Sequence, residues 1–465
     1  MKELTNCNCI LIEHNGNSYV FDYINYEIQQ VMPKQKNIFE YMMKEKKLPN
    51  NIELQSELLP IIVKIKNGFF FTEKKVELYA RDDEERKGIV SFPVVHSCNL
   101  QCKYCFAKAG ETYNGECKTF GIDTLEKMYA YLNLLFDRSL TKIRLEFVSG
   151  GETLLEQNLL KKLLINIEKL TSKDRVQLEV LVMTNGTLLN KDIIEFLNMN
   201  NSRLGVSIDG PAHIHNYQRP YKNGQGTYDT IIDNMRYIMN GGRSNNIWVV
   251  SVITSATENL IEVLKHHKSI GVKSMEMRLI RGHDDYGLSI DERTIVHFKK
   301  IYFEFSEYLK KNMDDIIYIL NDYDSFGKLL KRVLEREKII YRCQAGKTKF
   351  SFTADGDVYP CDSFVGQKKY LIGNVYDSTY NESVLEFFKK LNVDEIDMCK
   401  CCGFRYLCGG DCYYNMLLNK HIEITCEMQK YLCVLAIDLA FFIKNNDNKM
   451  YKKLVSFAKL RDFVK

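Results

Sequence analysis

The 465-residue sequence has little excess charge of either sign and no long apolar run. Lys and Arg number 64 against 60 Asp and Glu, with only 9 His, so the formal net charge of +4 gives no electrostatic case for a nucleic-acid or membrane partner. No apolar stretch reaches the ~18 residues that a membrane-spanning helix needs. The longest, Leu432 to Ile443, is interrupted by Asp438. The segment Met1 to Cys9 carries Glu3 and Asn6 where a secretory signal needs an apolar core, so a cytoplasmic location is expected. Low-complexity tracts are also missing. With 45% hydrophobic residues the chain can build real cores, which excludes disorder and fibre. At ~150 residues per domain its length suggests about three domains.

What is plentiful is cysteine: 15 residues, in a setting where cytosolic thiols stay reduced. Three lie within Cys98 to Cys105 and eight between Cys343 and Cys426, at short spacings that a random scatter would not produce. Metal ligation is the expectation.

Between about 88 and 285 one phrase recurs: a short β-branched run, a polar loop, then apolar positions at helical spacing. Strands are expected at Gly88 to Val95, Ile143 to Val148, Val176 to Met183, Arg203 to Ile208, Ile247 to Ile253 and Ser274 to Ile280. Helices are expected near 122–138, 154–171, 189–199, 229–241 and 258–270. Near-continuous apolar strands imply a parallel sheet buried on both faces, with ligands at the strands' carboxyl ends. The fold class is therefore α/β, a partial (β/α)6 TIM-like barrel spanning 87–285.

Residues 1–86 read as a separate winged-helix-like module. Ile10 to Ile12 and Tyr19 to Phe21 flank a turn at His14 to Asn17, giving a hairpin. Helices near 36–46 and 52–66 and a short strand Phe69 to Thr72 follow, and the charged stretch Arg81 to Lys87 is a linker. After the barrel, long helices over 291–313 and 315–337 form a helical bridge (286–340). A cysteine-rich domain (341–465) then contains a hairpin around Asp355-Gly356, a helix near 426–444 and a short basic tail. Having little apolar periodicity, it needs metal clips to hold its shape.

Cys98-x3-Cys102-x2-Cys105 lies where the first barrel strand ends. Three thiolates can wrap a [4Fe-4S] cluster and leave one iron open to a small molecule; a zinc knot with a distant fourth ligand is the alternative. With Tyr104 before the last cysteine, this motif resembles the signature of the radical S-adenosylmethionine (radical SAM) enzymes, where the open iron chelates the cofactor's amino and carboxylate groups. The motif Ser149-Gly150-Gly151-Glu152-Thr153 ends the second strand and resembles the family motif that binds the methionyl amino group, with Thr153 where Pro is usual. Thr184 and Asn185 end the third strand, and Ser207 and Asp209 the fourth. Both resemble family strand ends, the latter near the cofactor ribose, although Ser207 and Asp209 also suit caps or turns. The resemblance implies that Tyr104 stacks on the adenine. Arg219 and Arg278 are either cofactor-carboxylate contacts or structural salt bridges.

The C-terminal cysteines, Cys343, Cys361, Cys399-x2-Cys402-x5-Cys408-x3-Cys412 and Cys426, match the seven-cysteine pattern of the SPASM domain. That resemblance implies two auxiliary [4Fe-4S] clusters, three per chain in all. Cys399, Cys402, Cys408 and Cys426 would hold the outer one; Cys343, Cys361 and Cys412 would hold the inner one. Cys401 is a rival for Cys402, and Cys433 for Cys426. Cys7, Cys9 and Cys117 have no spacing partners. A nucleic-acid-binding zinc ribbon is the alternative, but no basic stripe accompanies it.

Sulfatase-maturing members supply a further cysteine soon after the first, whereas Gln344 to Phe352 contains none. The inner cluster would then have an open iron for a substrate thiolate. The 105–115 segment, the phrase Ser207 to His215 and the segment Arg405 to Asp411 most resemble maturases of ribosomally made peptides, especially thioether-forming (ranthipeptide or sactipeptide) ones. The implied reaction is a thioether crosslink set by a 5′-deoxyadenosyl radical. The implied partners are a precursor peptide, whose leader would add a strand to the 1–86 module, and a reductant such as ferredoxin or flavodoxin. Alternatives are a carbon-carbon crosslink, sulfatase-type side-chain oxidation, or a peptide-binding protein without turnover; for residues 1–86, the alternative is a cap or dimerisation module.

Overall fold

The computed structural model describes residues 8–47, 59–71, 87–108, 117–136, 140–148, 150–240, 247–282, 286–377, 379–418 and 421–463. Cys7, Ser149, residues 81–86 of the expected linker and residues 109–115 of the 105–115 segment lie outside them, as do residues 52–58 of an expected helix.

Six parallel strands form the centre: β4 (Lys87–Ser91), β5 (Lys142–Phe147), β6 (Gln177–Thr184), β7 (Arg203–Ser207), β8 (Ile247–Ile253) and β9 (Met275–Leu279), adjacent in chain order. Helices Ile122–Leu135, Gln157–Lys173, Lys191–Met199, Tyr228–Asn240 and Leu260–Ser269 connect them. This is the expected partial barrel. Its helix-facing side is apolar, with Ile143, Leu145, Phe147, Val180, Val182, Leu204 and Val206 in one core.

The other face corrects the expectation of strands apolar on both sides. Arg144 and Glu146 on β5, Glu179 on β6 and Glu276 and Arg278 on β9 form ion pairs there: Arg144–Glu179 at 2.8 Å and Glu146 with Lys349 at 2.8 Å, while Arg278 donates to Glu276 through Nε at 2.9 Å. Mutual pairing makes burial of these charges tolerable.

The cysteine-rich region also differs from expectation. Its hairpin, β10 (Lys349–Phe352) and β11 (Asp357–Tyr359), forms as the Asp355-Gly356 turn predicts, but β10 pairs in parallel with β4. With the two-residue strands β12 (Gly373–Asn374) and β13 (Thr379–Tyr380), the sheet reaches ten strands in order β13-β12-β11-β10-β4-β5-β6-β7-β8-β9. Phe364, Tyr370, Phe388 and Tyr413 join the barrel's core, so this region does not rely on metal alone.

The helical bridge is shorter than expected in its second half. The stretch 315–337 breaks into Ile316–Ile319 and Gly327–Glu335 because Asp324 turns the chain, accepting from the amides of Met277 (2.7 Å), Phe326 (2.9 Å) and Gly327 (2.6 Å). In place of a basic tail, helix Asn448–Phe463 follows the 25-residue helix Ile422–Asn446 and buries Leu454 and Ala458.

In the N-terminal module the expected hairpin, β1 (Cys9–His14) and β2 (Asn17–Asp22), is joined by an unforeseen third strand, β3 (Glu27–Val31). Helices Pro33–Glu45 and Leu59–Lys66 are its helices among the described residues. Of the expected strand Phe69 to Thr72, Phe71 forms a bridge and Thr72 lies outside the described residues. Among the described residues, no helix is long and apolar enough to cross a membrane.

Candidate active site and auxiliary cysteine sets

The loop bearing Cys98, Cys102 and Cys105 is held from three strand ends. From β5, Glu152 N donates to Ser97 O at 2.7 Å. From β6, Asn185 Nδ2 donates to Asn99 Oδ1 at 2.8 Å, and Asn99 Nδ2 donates to Thr187 Oγ1 at 2.8 Å. Beyond β7, Gln101 N donates to Pro220 O (2.9 Å) and Lys103 N to Gln218 O (3.0 Å). Gly150 takes φ +79°, a conformation that favours glycine. At Gly151 the close approach is by the loop's own backbone, since a Cβ would lie 2.2 Å from Val95 O.

Glu152 is buried at the centre of this arrangement. Its carboxylate accepts from Leu154 N (3.0 Å), Thr184 Oγ1 (2.6 Å) and Asn185 N (2.7 Å), while burial raises its pKa. Asn185 reaches on to Cys98 Sγ at 3.9 Å. Thr184 and Asn185 thus tie the loop to β6.

A second buried network lies beyond β7. Asp209 accepts from Tyr104 Oη (2.8 Å), Gln218 Nε2 (3.1 Å) and Val252 N (3.0 Å), and burial raises its pKa. Arg219 donates to the Tyr104 hydroxyl. In this structure Arg219 is therefore engaged by a phenol, and Arg278, paired with Glu276, fits the salt-bridge alternative. Asp209 N donates to His215 Nδ1 at 3.2 Å, and burial lowers the pKa of that imidazole well below its ordinary value. Ser207 is half-buried at the end of β7. Asn99 and Gln218 were missed by sequence reasoning; only Asn99's place inside the cysteine motif could have flagged it.

Burial raises the thiols of several C-terminal cysteines, and their cysteine neighbours add to it. After burial, Cys412 raises the Cys343 thiol, and Asp362, Cys412 and Cys343 raise that of Cys361. After burial, Cys408, Cys426 and Cys402 raise the Cys399 thiol. Cys401 is exposed. Cys433 is buried against Cys408, and their hydrogen bond lowers the Cys408 pKa to about 6, so Cys433 adjoins the outer set beside Cys426. Arg281, which follows β9 and was not foreseen, faces the inner set: Cys412, Asp362, Cys361 and Cys343 all raise its pKa.

These donor sets fit iron-sulfur clusters. The described cysteines are all free thiols. Burial pushes Cys102 and Cys399 up to about 12 and Cys426 to about 11, so in the bare protein they stay protonated. A cationic iron centre reverses that balance. Among the described residues no three His, Cys, Asp or Glu side chains converge on one point as the ligands of a single ion must. A cubane instead spreads its thiolates over separate irons.

Residues 92–270 match the family described as the Radical SAM superfamily, and residues 343–403 match SPASM, an iron-sulfur cluster-binding domain. The cysteine-type anaerobic sulfatase-maturating enzyme of Clostridium novyi is 24% identical over 376 residues, 77% of this chain and 95% of that protein. The antilisterial bacteriocin subtilosin biosynthesis protein AlbA of Bacillus subtilis is 24% identical over 352 residues, 73% and 70% of the two chains. Among solved structures, native anSMEcpe with bound AdoMet and Cp18Cys peptide superposes with a TM-score of 0.61 at 21% identity, covering 80% of this chain and 99% of that one. Radical SAM and SPASM domains hold iron-sulfur clusters and S-adenosylmethionine, and the cysteine sets described above lie within or beside the matched segments. The chain is an α/β enzyme with a radical SAM core and a C-terminal SPASM domain.

Proposed function

We propose that the chain is a peptide maturase that joins a cysteine sulfur of a ribosomally made peptide to a carbon of the same peptide. The observation behind this reading is the inner set. Cys412 and Cys343 both act on the Cys361 thiol, and the stretch Gln344 to Phe352 supplies no further cysteine. Three thiolates on a four-iron cluster leave one iron for a substrate thiolate. The maturase names among the relatives, and the peptide bound in the related structure, support a peptide substrate.

Residues 98–105 and the two auxiliary sets would hold three [4Fe-4S] clusters, with S-adenosylmethionine at the first. Bound there, these groups would supply one-electron reduction of the sulfonium and the radical chemistry that follows from it. The protein's part is positioning. Glu152, Thr184, Asn185 and Asn99 fix the cysteine loop; Tyr104, Asp209, Gln218 and Arg219 close its far side; Arg281 offers a positive charge that favours a thiolate over a thiol at the inner set. The N-terminal module would hold the leader of the peptide, and an external reductant such as ferredoxin or flavodoxin would supply electrons.

The test is anaerobic reconstitution with a short cysteine-containing precursor peptide. Roughly 12 irons per chain, release of 5′-deoxyadenosine and loss of two hydrogens per bridge, with the cysteine no longer alkylatable, are expected. Cys343→Ala is expected to abolish product while sparing nucleoside release. A modified peptide whose cysteine is still alkylatable would exclude the thioether and favour a carbon-carbon link.

A further inference from the structure

The N-terminal module and the outer cysteine loop are far apart in sequence and touch in space. Strand β1 lies on the Cys399-x2-Cys402 loop: at Gly403 a Cβ would fall 2.0 Å from Cγ2 of Ile10. Beyond β2, Ile24 is buried in a small cluster with Val393, Cys399 and Tyr406. The Arg405 guanidinium covers the Tyr23 ring at 5.1 Å and the Tyr406 ring at 4.5 Å. The turn presenting Tyr23 and Ile24 is rigid, because the buried Asp22 carboxylate accepts from Ile24 N (2.9 Å), Asn25 N (2.8 Å) and Phe70 N (2.7 Å). What touches the cysteine loop is therefore fastened to the second half of the module.

The cysteine loop has little regular structure to hold its own shape. Asp397–Lys400 and Arg405–Cys408 are single helical turns, far below the length at which a helix is stable alone. Cys399 and Cys408 sit on these two turns, Cys402 lies between them, and Cys426 is on the long C-terminal helix. Metal bound by such a set fixes the backbone between its ligands.

We propose that the outer auxiliary site is the seat of the N-terminal module: metal loading at Cys399, Cys402, Cys408 and Cys426 and docking of residues 8–31 are linked, each stabilising the other. The inference takes from the proposed function only that this set holds a cluster, and is independent of the bond the enzyme makes. Its consequence is that the outer cluster orients strands β1 and β2 relative to the rest of the chain.

Hydrogen exchange on the full, anaerobically reconstituted chain tests it. Cys399→Ser/Cys402→Ser is expected to lose about four irons and to exchange at least about tenfold faster in β1, β2 and the 22–26 turn, with β5 to β9 unchanged. Gly403→Val retains every cysteine but drives a side chain into Ile10. It is expected to loosen the same N-terminal amides and to lose its outer iron faster to a chelator. Unchanged N-terminal protection in Gly403→Val overturns the linkage, as does a loosened module with an unaltered rate of iron loss. Should the double variant unfold as a whole, Gly403→Val decides. Nucleoside release, measured alongside, depends on the first cysteine set: its absence from the parent chain would count against the functional reading and leave the exchange result intact.

Discussion

Gly151 has no space for a methyl group. Its Cβ would meet Val95 O at 2.2 Å, Ser97 O at 2.3 Å and Ser97 N at 2.7 Å, all backbone atoms that cannot swing aside. Gly151→Ala is expected to displace the segment leading into Cys98. Anaerobically reconstituted variant should carry about four irons fewer than the parent and release at least about tenfold less 5′-deoxyadenosine; nucleoside release at the parental level would show that the loop tolerates the shift. At this scale the sequence was informative about residue type and less so about role. The position of Gly-Gly-Glu at a strand end was legible, but the reason for the second glycine lies in a backbone 54 residues upstream. Glu152 and Asp209 were read as cofactor contacts, and in this structure both are buried hubs whose oxygens accept from the protein's own hydroxyls and amides.

Strands β4 to β7 are tied together at their amino ends by a charge cluster. Glu179 lies 2.8 Å from Arg144, 3.1 Å from Lys142 and 3.6 Å from Lys87. Burial would raise the Glu179 pKa, yet Arg144 and the two lysines hold it down to about 2. A carboxyl whose folded pKa is depressed contributes stability above its unfolded value of ~4.3 and loses that contribution as pH falls through the folded value. Glu179→Gln is therefore expected to cost about 2–3 kcal/mol at pH 7, with the gap to the parent narrowing below pH ~4 and closing near pH ~2. Denaturant unfolding at a series of pH values reads this out, and a gap independent of pH would refute it. The six barrel strands and their helices were legible from periodicity, with ends shifted by a few residues. The charged inner face was not, because Arg144 and Glu146 alternate with apolar neighbours as an ordinary half-exposed strand would, and their partners Glu179 and Lys349 are distant in the chain.

Three parts of the chain meet at one buried ion pair. Asp438 on the C-terminal helix accepts from Tyr19 Oη of β2 at 2.7 Å and lies 2.6 Å from Lys310 Nζ of helix Ile295–Lys311. The same aspartate is what interrupts the longest apolar run of the sequence. Asp438→Ala leaves Lys310 with Glu307 alone, 2.6 Å away, and takes the acceptor from Tyr19; it is expected to cost about 1–3 kcal/mol, whereas Lys310→Met/Asp438→Leu should recover most of that loss. Thermal unfolding of the three anaerobic proteins checks the ordering, and a double variant as unstable as the single one would contradict it.

The sequence by itself pointed to the chemistry: thiols at fixed short spacings are held close by local chain geometry, as the ligands of an iron-sulfur cluster are, and the βα phrase must bury its strands in a parallel sheet. Only the tertiary structure decided which elements share a surface. The pairing of β10 with β4, the docking of β1 on Gly403 and the meeting of Tyr19, Lys310 and Asp438 all join segments hundreds of residues apart. Such contacts are set by complementary shape and charge after the chain collapses, and no local pattern encodes them.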